Sequence, residues 1–480
     1  MKWKNYLKKT LMKLVAFILL INLSNLIASK SLKIIDKAQY FFSYSEEKIH
    51  KITDRKSEKD LLITILLHTK WVNFNSIVKM TTRDLRALLI TKLNNRTAET
   101  ITALNSKTNY ELSSYCLIYT FIKTADIRTE SELKSMHLGD LRNSLIVENL
   151  KYLNTKTLQN LQTLTTKKLV QLGYSWHIPK NYNSFVNIDE LQKSIPNLRS
   201  TFKLKDDLGR SMNVIKIVKT SEMGNDKFSY LGLYHIRISE DNFNLQLAGS
   251  NDMLKWNFIT EIDDNAHQGD IVKWNEGYLL AYEEDKIQGA NNIALKYYTN
   301  YNNLISNQSV YDKHLNTSIH KFGVEGTPDI RNVSGNSPLN GNILLGFHYY
   351  DGNIDKLAMG VLQNGETWTT WKDVLVESNL RDLNFEGNIG SRKGFQCQGE
   401  TLILQEARLI KGDWSSWKIM LGLNGFFTEV LISTPKGSRS FANPSITEIE
   451  TNKYAISLFL PTEGNHFSEN NGGVIFLKYY

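Results

Sequence analysis

The sequence predicts a multidomain protein in which an all-α helical repeat domain precedes an all-β domain, a five-bladed β-propeller. Glycine is the first sign, because only Gly139 and Gly173 occur among the first 200 residues and the other 26 glycines follow. The apolar pattern changes at the same place, from helical spacing to short β-branched and aromatic runs. The net charge also changes sign, from +9 over residues 31–200 to −7 over residues 201–480. A uniformly basic nucleic-acid binder is therefore disfavoured, and no nucleic-acid partner is predicted.

The predicted segments of the chain follow these changes of composition. They are a signal peptide or N-terminal anchor at 1–30, a linker at 31–56, a duplicated helical domain at 57–173, a second linker at 174–206 and the propeller at 207–480.

The first 30 residues have the pattern of a targeting segment. They hold six lysines and no acidic residue, and five of the lysines precede the apolar run Leu14–Ile21. Polar residues from Asn22 onwards interrupt the run before it reaches the ~20 residues of a spanning helix, which favours a cleaved signal peptide. An uncleaved anchor stays open as the alternative and would be the only membrane contact. We therefore expect a secreted protein or one of the cell envelope.

The helical region repeats part of its own sequence. The segment Met80–Ile90 returns 56 residues later as Met136–Ile146, and each copy carries an Asp-Leu-Arg core. The aspartates, Asp84 and Asp140, are expected in the first helical turn, where a carboxylate satisfies free N–H groups. The arginine of each core is expected on the solvent side. Two interpretations stay open: a module that binds a partner or an acidic surface, and a helical spacer with a solvated basic face.

Neither a metal nor a cofactor is predicted. The two cysteines, Cys116 and Cys397, lie in different predicted domains and give no disulfide framework. The sequence has no C-x-x-C or H-E-x-x-H motif for zinc, and it has neither a phosphate loop nor a G-x-G-x-x-G motif after a strand.

The C-terminal half shows a longer period of about 50–60 residues. Its units begin with a short apolar strand after a polar residue or proline, and the starts are Asn213, Gly269, Pro328, Gly387 and Pro444. Five starts predict five blades, and the first strands of all blades should meet around a central funnel.

Four carboxylates close to these starts are the candidate functional residues. They are Asp270, Glu325, Asp329 and Glu386. Trp274, His267 and His348 are predicted near the same funnel. A concave acidic site with aromatic walls suits a carbohydrate, because sugar rings stack on aromatic side chains while carboxylates bind hydroxyls and transfer protons.

Three segments resemble five-bladed propeller glycosidases, the arabinanase, β-xylosidase, invertase and levansucrase families. They are Ser250–Trp256, Asp270–Tyr282 and Glu325–Ile330. The resemblance implies a glycoside hydrolase with Glu325 as general acid and Asp270 in a supporting role. The other funnel residues are candidate substrate contacts because of their predicted position. Ser250-x-Asp252-x-x-x-Trp256 also resembles the Asp-box turn of sialidases, which stabilises propeller hairpins without taking part in chemistry.

The first blade departs from the glycosidase pattern. Those families place a base or nucleophile aspartate there, where this chain has Ser211-Met212-Asn213. This departure supports a second hypothesis, a non-catalytic propeller that binds glycans or a protein partner.

Overall fold

The structure is a computed structural model that describes most of the chain after Asp54. The described residues are 55–72, 74–77, 79–152, 156–182, 204–220, 227–287, 290–319, 323–430, 432, 439–450, 453–461 and 472–479. Arg55–Tyr480 forms one compact unit. The predicted leader at 1–30 lies outside the described residues and stays a prediction. Within the described ranges, no helix combines the length and the apolar character that a membrane crossing needs.

Short and long helices alternate in the N-terminal part. Their bounds are α1 Arg55–His68, α2 Phe74–Ile77, α3 Thr82–Asn94, α4 Ile101–Asn105, α5 Asn109–Thr124, α6 Glu130–Lys134, α7 Leu138–Tyr152, α8 Leu158–Gln162 and α9 Thr166–Tyr182. From α2 onwards, each short helix precedes a long one, and the short helices start 27 to 29 residues apart. The predicted helical class is thus confirmed, while the duplication of sequence stays a prediction.

The two aspartates of the Asp-Leu-Arg cores lie in first helical turns, as predicted. Asp84 accepts the backbone N–H of Thr81 at 3.2 Å, and the Thr81 hydroxyl accepts the N–H of Asp84 in return. Asp140 accepts the N–H of His137 at 3.2 Å at the start of α7. These bonds satisfy N–H groups that have no partner inside the helix.

The two arginines of these cores are not simple surface residues, which corrects the expectation. Arg86 donates to the carbonyl of Lys107 at 2.7 Å, and Arg142 donates to the carbonyl of Gln162 at 3.2 Å. Both side chains are half-buried. Each ties a long helix to the loop that ends the following short helix, a contact between residues about 20 positions apart that helical periodicity alone does not reveal.

The C-terminal part consists of antiparallel sheets whose strands follow chain order. The sheets are β1 Asn213–Lys219, β2 Tyr230–Ser239, β3 Asn242–Ser250 and β4 Asn257–Asp263; β5 Ala266–Trp274, β6 Gly277–Ile287, β7 Ala290–Tyr298 and β8 Tyr311–Leu315; β9 Glu325–Gly335, β10 Gly341–Tyr350, β11 Asp355–Gln363 and β12 Thr367–Lys372; β13 Arg392–Cys397, β14 Glu400–Arg408, β15 Trp417–Leu423 and β16 Phe426–Glu429; and β17 Ala442–Glu450, β18 Lys453–Leu460 and β19 Gly472–Tyr479. Two further helices are α10 Tyr301–Ile305 and α11 Val374–Asp382.

This region is a β-propeller with four four-stranded blades. The first strands β1, β5, β9 and β13 begin at or within five residues of the predicted unit starts. The last sheet has three described strands. The predicted number of five blades therefore stays a prediction.

The helical part packs directly on the sheets. Tyr174 on α9 stacks on Phe426 of β16 with ring centroids 4.8 Å apart, and Lys167 pairs with Asp382 of α11 at 2.7 Å. Gln171 donates to the carbonyl of Phe427 at 3.3 Å. Helix α9 continues to Tyr182 and so occupies the beginning of the span 174–206 that was assigned to a linker.

The segment Ser250–Trp256 forms the tight turn that its resemblance implied. The Asp252 carboxylate accepts the N–H groups of Leu254 and Lys255, both at 2.8 Å. The Trp256 side chain is buried and its indole N–H donates to the carbonyl of Met253 at 3.0 Å. The turn thereby holds a large core residue between β3 and β4.

Asp252→Ala is expected to lower the free energy of unfolding by about 1 kcal/mol, because two backbone N–H groups lose their acceptor but stay open to water. Urea denaturation of the full chain measures this loss. Asp241→Ala is the matched control, since Asp241 is an exposed aspartate in the preceding hairpin. Equal stability of the two variants would contradict a stabilising role of the turn.

Candidate functional site

A cavity opens where the first strands of the blades begin. Its volume is about 380 Å³. We call it the mouth cavity, and it is lined by Asn213, Val214, His235, Arg237, Phe243, Gln268, Thr327, His348, Asp355, Asn388, Gly390, Glu406, Trp414, Trp417, Ala442, Asn443, Phe459 and Pro461. Every described sheet contributes to this lining, four through their first strands and the sheet β13–β16 through Glu406, Trp417 and the residues just before β13. This arrangement agrees with first strands that meet around a central funnel.

Several first strands carry a residue in the left-handed region at the cavity. The φ angles are 52° at Val214, 52° at Gln268, 41° at Thr327 and 49° at Asn443. Such angles are unfavourable for side chains with a Cβ, and most of all for β-branched valine and threonine. The surrounding contacts must therefore hold these residues in place.

Side chains from second strands supply those contacts. Glu283 on β6 accepts the N–H of Thr327 at 2.9 Å, and Glu406 on β14 accepts the N–H of Asn443. In the first blade the N–H of Gln268 faces Nδ1 of His235 on β2 at 3.4 Å. Each contact joins one sheet to the first strand of the next sheet. We call these three second-strand residues, His235, Glu283 and Glu406, the clamp residues.

Two carboxyl groups at the mouth cavity have raised pKa values. Burial raises the pKa of Glu406, although the N–H groups of Asn443 and Ser391 counteract it. Burial also raises the pKa of Asp355, and the His348 imidazole acts in the opposite direction. Asp355 is half-buried and receives a hydrogen bond from the amide of Asn388. A carboxyl group whose pKa is raised holds its proton closer to neutral pH and suits a general acid.

The pKa values of two neighbouring groups, His235 and Glu283, are lowered. Burial lowers the pKa of His235 to about 3, so that this imidazole is neutral at physiological pH. Burial would raise the pKa of Glu283, but the neighbouring imidazoles of His267 and His348 and the N–H of Thr327 outweigh it and lower the pKa. Both carboxyl groups that line the cavity thus have raised pKa values, while Glu283, a clamp residue outside the lining, has a lowered one. Environments that separate the pKa values of nearby carboxyl groups in this way are typical of sites of acid–base chemistry.

Aromatic side chains form one wall of the mouth cavity. Trp414 is 54% exposed and Trp417 is buried, with ring centroids 6.3 Å apart. The Arg408 guanidinium lies 4.9 Å from the Trp414 ring and 5.3 Å from the Trp417 ring. An exposed indole held in place by a cation provides a flat surface on which a sugar ring can stack.

Asp270 and Asp329, predicted for the funnel, lie on its axis but not in the mouth cavity. Asp270 is buried, pairs with Lys393 at 2.5 Å and accepts the N–H of Ile330 at 2.8 Å. Asp329 is buried and forms an ion pair with Arg331. Cations on first strands, Lys393 of β13 and Arg331 of β9, thus neutralise these carboxylates. The unit starts did not indicate them, because both cations come from other positions of the first strands.

Glu325 and Glu386 lie at different depths. Glu325 is buried at the start of β9, where its carboxylate accepts the N–H groups of Ser318 at 2.8 Å and Ile319 at 2.7 Å. Burial raises its pKa, and those N–H groups counteract the increase. Glu325 is not part of the mouth-cavity lining, and Glu386 is exposed in the segment between α11 and β13.

The three predicted ring residues also occupy different places. His348 lines the mouth cavity and contacts the Thr327 hydroxyl through Nδ1. His267 packs beside His235, a residue of the cavity lining, with ring centroids 5.8 Å apart. Trp274 is buried and donates to the carbonyl of Gly335 at 3.0 Å, so it belongs to the core at the other end of β5.

One group of metal-ligating atoms occurs in the described part of the chain. His267, Glu283 and Asp285 bring one ligand atom each within 4.8 Å of one another. His267 Nε2 lies 2.8 Å from Asp285 and 3.7 Å from Glu283. Burial would lower the pKa of His267, but the charges of Glu283 and Asp285 outweigh it and raise it. The two carboxylates thus favour the charged form of this imidazole.

The sequence interpretation missed Asp355, Glu406 and His235. Two of them lie on second strands, opposite the beginning of a first strand. His235 pairs with Asn213, and Glu406, the residue after Gln405 in the pair Arg392–Gln405, lies opposite Ser391 just before β13. The antiparallel register could have revealed these two, since the second strand must return to the level at which the first one starts. Asp355 begins the third strand of its blade after a hairpin turn and pairs with Tyr350 at the end of β10.

Comparison with known proteins places the sequence in no family. No family model and no curated protein matches it. Similar solved structures include a GH43 endo-arabinanase from Bacillus licheniformis, with 12% identity, 57% of this chain and 95% of that chain covered and a TM-score of 0.37. A xylan β-1,4-xylosidase from Bacillus halodurans has 12% sequence identity and a TM-score of 0.39. The match covers 55% of this chain and 52% of the xylosidase chain. A GH62 hydrolase in complex with xylotriose has 9% sequence identity and a TM-score of 0.37, and the match covers 58% of this chain and 94% of the hydrolase chain. At these values no residue role is transferred to this chain.

Proposed function

We propose that this protein acts on a glycan as a glycoside hydrolase, with the mouth cavity as its substrate site. The observation that supports this most is that Asp355 and Glu406, two carboxyl groups with raised pKa values, face a cavity walled by Trp414 and Trp417. Glycosidases use a pair of carboxyl groups, one of which must be protonated when it meets the leaving oxygen.

Asp355 is the better candidate for the general acid. Its carboxyl group is half-buried and keeps access to the cavity, whereas both Glu406 oxygens accept backbone N–H groups, from Ser391 and from Asn443. Glu406 would then supply the second carboxylate, and His348 would stabilise charge between them. The roles implied by resemblance, Glu325 as acid and Asp270 in support, remain the competing proposal.

Glycan binding without cleavage is the second candidate. The first strands contribute Asn213, Val214, Gln268, Thr327, Ala442 and Asn443 to the mouth cavity, and Gly390 lies two residues before β13. None of these carries a carboxylate, and both Glu406 oxygens are engaged. Amide and hydroxyl groups beside an exposed tryptophan are sufficient for a binding site that holds a sugar.

Sugar release and sugar binding, measured on the same full-length protein, separate the two candidates. Arabino-, xylo-, fructo- and sialo-oligosaccharides form the panel, with reducing-end release followed by chromatography and binding followed by calorimetry. We expect release from at least one of them. Binding without any release supports the second candidate, and the absence of both contradicts a glycan site.

We also propose that the last sheet is a fifth blade and that the chain is exported. Strand β17 contacts β1 on one side and β13 on the other, which is the place of a blade between the first and the fourth.

The proposed export rests on the lysine-rich start of the chain and the apolar run Leu14–Ile21. The helical part at 57–173 would then serve either as an attachment module or as a spacer.

A further inference from the structure

A second pocket lies between helix α1 and the blades β9–β12 and β13–β16. Its volume is about 370 Å³. We call it the helix-side pocket, and its lining includes His68 and Leu67 of α1 together with Arg331, Leu344, Trp371 and Ile403 of the propeller. It shares no residue with the lining of the mouth cavity. Neither the sequence interpretation nor the proposed hydrolase uses it.

Arg331 is the unusual residue of this pocket. Its side chain is only 10% exposed, and its Nε faces Asp329 in an ion pair. Its Nη2 is buried and has no hydrogen-bond partner among the described residues. A buried N–H group without an acceptor is costly and rare. Both oxygens of Asp329 also lack hydrogen bonds, so the ion pair leaves the guanidinium incompletely satisfied and an acceptor in the pocket would add to its hydrogen bonds.

The charges around Arg331 leave it incompletely compensated. Asp329 is shared, because Lys393 Nζ also lies 3.8 Å from it. Gly394 leaves room for the guanidinium, since a Cβ at that position would lie 2.7 Å from Nη1. Strand β13, which carries Gly394, thus leaves space for the Arg331 guanidinium but provides no carboxylate for it.

The other charged residues of the pocket are already paired. Both oxygens of Asp373 are engaged, one by Arg392 at 2.6 Å and the other by His68 at 3.3 Å. Lys70 pairs with Glu400 at 2.8 Å. The pocket therefore holds no spare carboxylate for Arg331.

The rest of the wall is largely apolar. Leu344, Met359, Trp371 and Ile403 surround the space next to the guanidinium. We infer that the helix-side pocket binds a small organic carboxylate whose ring-sized body packs on Trp371 and whose carboxylate accepts hydrogen bonds from Arg331. A planar guanidinium and a carboxylate form the strongest pairing of this kind that a buried site can offer.

Calorimetric titration of the full-length protein with benzoate tests this inference. Benzyl alcohol is the neutral molecule of the same shape, and inorganic phosphate is an anion without the apolar body. We expect benzoate to bind at least tenfold more tightly than either of them. Equal binding of benzoate and benzyl alcohol overturns the inference, as does phosphate binding as tight as that of benzoate or an absence of binding by all three.

Two variants assign the site. Arg331→Met should weaken benzoate binding at least tenfold, and Leu67→Trp should do the same by filling the pocket from α1 while the ion pair of Arg331 with Asp329 stays in place. Arg83→Met, a change at an exposed arginine of α3, is the control and should bind as the unmodified protein does. Thermal melts show that each variant is folded, and unchanged binding in folded Arg331→Met or Leu67→Trp contradicts the site.

Discussion

Asp355→Asn is expected to lower the rate of sugar release by about 10²–10⁴-fold, the range that general acid catalysis contributes. Asparagine has nearly the same size and keeps the contact with Asn388, but it cannot give a proton to the leaving oxygen. Because the pKa of Asp355 is raised mainly by burial, the unmodified protein should also lose activity as rising pH removes this proton. Initial rates on the best substrate of the panel, measured across pH, provide both results.

The control for this prediction is Asp351→Asn in the same hairpin. The Asp351 carboxylate accepts the N–H groups of Asn353 and Ile354 and pairs with Lys356, so it shapes the turn but does not line the mouth cavity. Equal losses in both variants would mean that the hairpin, and not the proton of Asp355, determines the rate. Glu325→Gln is the decisive comparison: if it alone abolishes release in a folded protein, the acid implied by the sequence resemblance is the right one and Asp355 is not.

Asp373→Asn is expected to lower the free energy of unfolding by about 3–5 kcal/mol, the usual cost of removing one partner of a buried ion pair. Asp373 is buried immediately before α11 and joins Arg392 of the propeller to His68 of the helical part. The substitution leaves the Arg392 guanidinium, which is also buried, without its counter-charge. Urea unfolding at pH 7 measures the loss.

The same carboxylate makes stability depend on pH. Burial alone would raise the pKa of Asp373, but the hydrogen bond from His68 and the charge of Arg392 outweigh it and hold the pKa well below its ordinary value. A depressed pKa in the folded state stabilises the protein above the unfolded value of about 4, and this contribution disappears as pH falls below it. The difference between the unmodified protein and Asp373→Asn should therefore shrink from pH 7 to pH 3.

Asp382→Asn provides the matched control. It also removes a carboxylate that joins the helical part to α11, through Lys167 at 2.7 Å, but its side chain is 27% exposed. Partly exposed ion pairs contribute about 0–1 kcal/mol, so this variant should lose far less stability. A loss as large as that of Asp373→Asn, or a pH-independent difference for Asp373→Asn, would contradict the assignment.

The fold was largely accessible from the sequence because its signals are local. Glycine content and helical spacing separated the helices from the strands, and the first strands of the four four-stranded blades begin close to the starts expected from Asn213 onwards. The turn at Asp252 was also predictable, since its hydrogen bonds join residues at most three positions apart. Periodicity and turn chemistry are properties of short segments, and they survive in a single sequence.

The site was less accessible because its residues meet through the ring of sheets. Asp270 and Glu325 lie on first strands as expected, but Lys393, 123 residues from Asp270, binds the Asp270 carboxylate. The carboxyl groups at the mouth, Asp355 and Glu406, come from β11 and β14. Which strand position reaches the mouth depends on register and strand tilt, and neither is encoded within a few residues.

The sequence by itself thus determined the order of a helical part and a propeller, the capped helices with Asp84 and Asp140, and a concentration of carboxylates in the acidic half. Only the tertiary structure decided which of those carboxylates are neutralised by buried cations and which keep access to a cavity. It also decided that Arg331 lines a second pocket with an unsatisfied N–H group. The physical reason is that charge and hydration are set by neighbours in space, and between blades those neighbours lie far apart in sequence, from 33 residues for Asp355 and Asn388 to 123 residues for Asp270 and Lys393.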